Sequence, residues 1–245
     1  MLLLSACAGG APQSAASNED AVAKAVEPSL RAAAATAEAN NDWKGAVQHW
    51  RTLYSHHPED KALALVLARD LRYAGEAPVA ADLLQQVIAR SGRDPALVAE
   101  LGKAWLASGR ESLALKTLEE ATVLAPTAWD VHSAYGVALD SAARFAEAQA
   151  AYGRALALSP DNPEVLNNLG LSQAMAGNLA DAVATLKTAE DQPRASMQVR
   201  QNLALLLTLQ GDVDAADRIA SKDLPPEIVR NNSAFLHWLA ANRTR

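Results

Sequence analysis

A fixed repeat period of about 34 residues constrains this chain more than any other feature. Leu101-Gly102, Gly109, Ala114, Leu118, Ala121 and Pro126 give way, one period on, to Tyr135-Gly136, Ala148, Tyr152, Ala155 and Pro160. A second step of the same length reaches Leu169-Gly170, Gly177, Ala182, Leu186 and Ala189, and a third reaches Leu203-Ala204, Gly211, Ala216 and Ala220. Stepping backwards finds Leu67-Ala68, Gly75, Ala80 and Leu84, then Ala46, Trp50, Leu53 and Pro58. The register predicts six units, 27–60, 61–94, 95–128, 129–162, 163–196 and 197–230. A unit of this length cannot bury its own apolar face, so neighbouring units must stack on one another.

Each unit reads as two helices. Half of the residues are apolar, yet only 4% are aromatic and Ala and Leu dominate, a composition that suits closely packed helices rather than a sheet. Gly102, Gly136 and Gly170 fall where two helices of a unit cross and a missing side chain allows close approach. Ala114, Ala148 and Ala182 are the matching small residues, Leu118, Tyr152 and Leu186 are expected to fill the space between units, and Pro126 and Pro160 limit the second helix. The Leu-Gly, Ala, Leu or Tyr, Ala and Pro landmarks resemble the tetratricopeptide (TPR) pattern. The fold expected is therefore all-α, a right-handed superhelical solenoid of about six TPR helix-turn-helix repeats. Beyond Pro225-Pro226, the stretch 227–245 carries Ile228, Phe235, Leu236, Trp238 and Leu239 at amphipathic spacing, as a C-terminal capping helix and tail.

The N-terminus carries a different signal. Met1-Leu2-Leu3-Leu4-Ser5-Ala6-Cys7 resembles the end of a bacterial lipobox, in which the cysteine becomes the lipidated first residue. Residues 1–6 are shorter than a complete leader, so translation is expected to begin upstream. Residues 7–26 would form the lipidated N-terminus and a flexible tether. Cys7 is the sole cysteine, which excludes an internal disulfide or a cysteine metal cluster. No apolar run approaches the length needed to span a bilayer, so contact with a membrane is expected only through the lipid anchor. A net charge of -6 argues against nucleic acid as a partner.

Nothing in the sequence suggests catalysis, and no cofactor, metal or small-molecule substrate is expected. His49, His56, His57, His132 and His237 include no His-x-x-x-His pair, and each glycine has a place in the repeat rather than in a phosphate loop. Trp43, Trp50 and Trp105 read as core, whereas Trp129 opens a unit and stands partly in the groove or wedged between units. Function is expected in the concave groove lined by first helices, at positions 2, 5, 6, 9, 12 and 13 of each unit. Those positions supply Arg69, Arg72, Tyr73 and Lys103 in the second and third units and Asn167, Asn168, Leu171, Met175, Gln201, Asn202 and Leu205 in the last two. The basic residues would steer an acidic or C-terminal part of a protein partner. The amides bond a peptide backbone as donor and acceptor, and Leu with Met offers adaptable apolar area.

The lipobox and the repeats, together with Val199-Arg200-Gln201-Asn202-Leu203-Ala204, Gln210-Gly211 and Asp223-Leu224-Pro225-Pro226, resemble the TadD family. TadD proteins are TPR lipoproteins of the tight adherence (Flp pilus) assembly system. The resemblance implies a non-catalytic interaction scaffold, pilotin-like, lipid-anchored to the outer membrane and facing the periplasm. Its partners would be the pilus secretin or other pilus-assembly components. The alternatives are a general periplasmic TPR chaperone or cell-envelope scaffold unrelated to pili, and a regulatory module detached from an enzyme.

Overall fold

The computed structural model describes residues 15–232 and 234, with side chains from residue 24 onward. Cys7 and its lipobox, together with Phe235, Leu236, His237, Trp238 and Leu239, lie outside the described residues. Twelve helices run α1 (Ala15–Ala39), α2 (Trp43–His56), α3 (Lys61–Tyr73), α4 (Ala77–Ser91), α5 (Pro95–Ala107), α6 (Glu111–Leu124), α7 (Trp129–Ser141), α8 (Phe145–Leu158), α9 (Pro163–Met175), α10 (Leu179–Glu190), α11 (Met197–Gln210) and α12 (Val213–Ala220). A further helix, α13, begins at 226. The described residues contain no strand, and α3, α5, α7, α9 and α11 start one sequence period apart, at Lys61, Pro95, Trp129, Pro163 and Met197.

The period is written into the ends of the helices. Asp60, Asp94, Asn162 and Ser196 each stand just before a first helix and accept hydrogen bonds from its opening backbone N–H groups. The corresponding position before α7 is Ala128, which provides no side-chain bond. Turns between paired helices follow the same rule. Gly75, Gly109, Gly177 and Gly211 hold positive φ there, and in the α7–α8 turn Ala143 adopts φ 56° in spite of its Cβ. The α7–α8 hairpin thus lacks two local devices that its neighbours possess.

One sequence expectation is corrected at the N-terminus. Residues 15–26, expected to lie in a tether, belong to α1, which continues through Pro28 to Ala39. Ala, Glu and Lys in this stretch are strong helix formers, and Glu27 pairs with Arg31 one turn on at 2.8 Å. Those preferences outweigh the donor lost at Pro28.

The chain divides into two compact bodies, residues 1–87 and 88–245. In the first, α2 packs on both α1 and α3 around Val47, Trp50 and Leu53. Trp50 donates its indole N–H to Glu38 at 2.9 Å. In the second, each first helix packs on its own second helix, and each of α6, α8 and α10 packs on the first helix that follows. Ile88, Val98, Ala99, Ala121 and Val131 begin its core, and Leu166, Val183, Leu203 and Leu207 continue it toward the C-terminus.

The glycines close this packing more tightly than the sequence register implies. A Cβ on Gly102 would stand 2.6 Å from Leu118 Cγ, one on Gly136 2.5 Å from Tyr152 Cε1, and one on Gly170 2.9 Å from Leu186 Cγ. Leu118, Tyr152 and Leu186 therefore lie over the glycine of their own hairpin, not simply between units. Tyr152 is held there by donating its hydroxyl to Asp140 at 2.8 Å, and Ser172 of the next hairpin donates to the other oxygen of the same carboxylate at 2.6 Å. Burial pushes the Asp140 carboxyl above its ordinary range, partly opposed by these two hydroxyls.

Candidate functional site

The sequence places candidate residues in both bodies. In the first, the basic candidates are already engaged. Arg69 pairs with Glu38 at 2.9 Å and with Asp70 at 2.8 Å, and Asp70 is 0% exposed. Burial drives the Asp70 carboxyl upward, the Arg69 guanidinium pulls it down, and Glu38 pushes it up again. The Arg72 guanidinium lies 4.5 Å over the Tyr73 ring, which packs at a tilt against Trp43 with centroids 4.7 Å apart. Arg69 is tied to one carboxylate on α1 and another on α3, so the steering charge expected of it is largely spent inside the body, whereas Arg72 stacks on the ring beside it.

The second body gathers the remaining candidates on α5, α7, α9 and α11. Lys103 is likewise committed, to Asp130 at 2.7 Å. The amides form a directed chain across three helices. Asn202 on α11 donates to Asn167 on α9 at 2.8 Å, Asn167 donates to Asn168 at 3.4 Å, and Asn168 donates to Ser133 on α7 at 3.3 Å. This bonding refines the role given to Asn167, which also borders the cleft at the groove. At 6% exposure it is an internal link of the chain, whereas Asn168 and Asn202 are half-buried and Gln198 and Gln201 lie open. The carboxamide oxygen of Asn202 ends the chain with no partner among the described residues.

Two kinds of surface flank the chain. At the N-terminal ends of α7, α9 and α11 is an open cleft of about 600 Å³, lined by Trp129, Asn162, Pro163, Glu164, Asn167, Asn168, Arg194, Ser196, Gln198 and Val199. Trp129 is half-buried, packed on the Tyr152 and Leu139 cluster while also bordering the cleft, so it stands both between units and at the groove. Toward the C-terminal ends of α9 and α11 the face turns apolar. Met175 is 54%, Leu205 54% and Leu209 47% exposed, with Leu171 half-buried. Such area is costly to leave in water unless something covers it.

Arg194 and Ser196 escape the register used to choose groove positions because they lie in the connection 191–196, not on a first helix. That connection spans six residues where the α8–α9 connection spans four, 159–162. The added length is the sequence signal for a loop residue reaching the groove. The histidines form no cluster among the described residues: His57 stands 3.4 Å from Glu27, and the buried His132 donates Nε2–H to the Pro126 carbonyl at 2.9 Å.

The tetratricopeptide repeat model matches residues 65–128 and 135–197, which together make up just over half of the chain. The chain belongs to the tetratricopeptide repeat family. Solved TPR structures agree in fold. A thermophilic TPR protein of Thermus thermophilus is similar at 22% identity and a TM-score of 0.67 over 74% of this chain and 98% of that one. MamA from Desulfovibrio magneticus RS-1, residues 41 to the end, is similar at 16% identity and a TM-score of 0.55 over 70% and 97%. No curated protein matches in sequence. TPR arrays are protein-interaction scaffolds, and the α7, α9 and α11 face is where this one presents bonding capacity and uncovered apolar surface together.

Proposed function

We propose that this TPR protein is a lipid-anchored scaffold of the cell envelope, pilotin-like, that holds an extended segment of a Tad/Flp pilus-assembly component, the secretin above all, along α9 and α11. The observation that carries the binding reading is the Asn202–Asn167–Asn168–Ser133 chain. Amides fixed by their neighbours offer donors and acceptors without first losing rotamer freedom, which favours a partner whose backbone supplies the complementary groups. Exposed Met175 and Leu205 beside them supply apolar contact. The envelope assignment is supported by Leu4-Ser5-Ala6-Cys7, and the pilus assignment by the resemblance of 199–204 and 223–226 to TadD. No helix among the described residues is long and apolar enough to cross a membrane.

Surface plasmon resonance against the purified secretin subunit tests this reading. Gln201→Ala with Leu205→Ala removes two exposed side chains that carry no internal bond, and should speed dissociation while leaving the melting temperature unchanged. Unaltered kinetics for that pair would remove the groove as the docking face. A parent protein that does not bind the secretin at all would remove the pilus assignment and leave the general envelope scaffold.

A further inference from the structure

The cleft at Trp129 and the apolar strip at Met175 and Leu205 share two helices, and their separation is fixed by helix geometry. Asn168 and Met175 are seven residues apart on α9, as are Gln198 and Leu205 on α11. Seven residues of helix rise about 10 Å, which an extended chain covers in about three residues. The two surfaces therefore lie within reach of one short segment.

Two side chains of opposite charge, Arg194 and Glu164, line the cleft. Lys103 on the same face is neutralised by Asp130, and Arg200 is locked to Asp223 at 2.6 Å. Arg194 has no ion-pair partner among the described residues and projects from an exposed loop position into the cleft lining. The opposing group is Glu164, whose charge sits in the first turn of α9, where the helix end offsets it. An apolar ring at Trp129 and the amides of Asn168 and Gln198 complete the lining.

We propose that the groove selects an internal acidic side chain, bound at Arg194 beside Trp129, followed or preceded at about three residues by a bulky apolar side chain seated on Met175 and Leu205. The proposal rests on the groove reading above and adds the chemistry of the partner. A chain continuing in both directions suits a cleft that opens along the row of amides rather than closing around a terminus.

The test uses the full protein and synthetic peptides blocked at both ends, each with one aspartate and a leucine at the third position from it, read by fluorescence polarisation. Replacing the aspartate by asparagine, or moving the leucine to the adjacent position, should weaken binding. Arg194→Gln should weaken the aspartate peptide about ten-fold and abolish its advantage over the asparagine peptide. Glu164→Gln should tighten it. Equal affinity of the two peptides for the parent, or an Arg194→Gln variant that still prefers aspartate, overturns the proposal. So does stronger binding of a peptide whose sole carboxylate is a free C-terminus, which would make the site a terminus reader. If all blocked peptides bind alike and lose affinity together in Gln201→Ala with Leu205→Ala, acidic selection fails while the groove reading stands. Binding by no peptide at millimolar concentration also overturns it, and the secretin measurement then judges the groove separately.

Discussion

Gly136 concentrates the packing of its hairpin in a single absent methyl group. The Tyr152 ring above it is rigid, buried and tied by its hydroxyl to Asp140, so it cannot retreat from an added Cβ. Leu186 above Gly170 stands farther off and can change rotamer. Gly136→Ala should therefore cost about 1–3 kcal/mol from overpacking, reduced by up to about 1 kcal/mol of helix propensity, and Gly170→Ala should cost less. Urea denaturation measures both, and equal stability of the two variants would contradict this account of the close approach. These positions are legible in the sequence because a repeat prints the same steric requirement once in every period. The partners over the glycines are not, since Leu118, Tyr152 and Leu186 suit either a place between units or one within the hairpin.

The α7–α8 hairpin and its neighbour α9 show what replaces missing local signals. Ala128 provides no cap and Ala143 takes a turn geometry that glycine favours, so this element depends on tertiary bonds around Asp140. Burial of Asp140, only partly opposed by those bonds, makes the hairpin's stability respond to pH. Asp140 has a folded-state pKa above its unfolded value, so the folded form binds the proton more tightly. The corresponding stabilisation is complete below the ordinary carboxylate range and is lost as pH rises through the raised value. Thermal melts across that range should show parent stability falling relative to Asp140→Asn, and a difference that stays flat or grows with pH would contradict the assignment. The register alone puts Asp140 on the groove face. Periodicity does not reveal that Asp140 accepts from the buried Tyr152 within its hairpin and from the buried Ser172 in the next.

At the scale of the molecule, the repeat identifies the class of function and the irregularities identify the site. Arg69 and Lys103 fall at groove positions in the register yet are consumed by Asp70, Glu38 and Asp130, because an acidic residue one place or one repeat away meets them. Arg194 lies outside the register and is left with its charge unpaired among the described residues. The start of α1 is hidden from the sequence because residues 15–26 lie outside the repeat register, whereas their helix-forming residues carry α1 through Pro28. The central claim is that a partner lies along α9 and α11 on the face that bears Leu205. Site-specific photo-crosslinking in cells measures it most directly, with the crosslinking amino acid at Leu205 compared with the same group at Lys187, exposed on α10. The account predicts a discrete protein adduct from position 205 and none from 187. An adduct from 187 alone would place the partner on the second helices and contradict the groove.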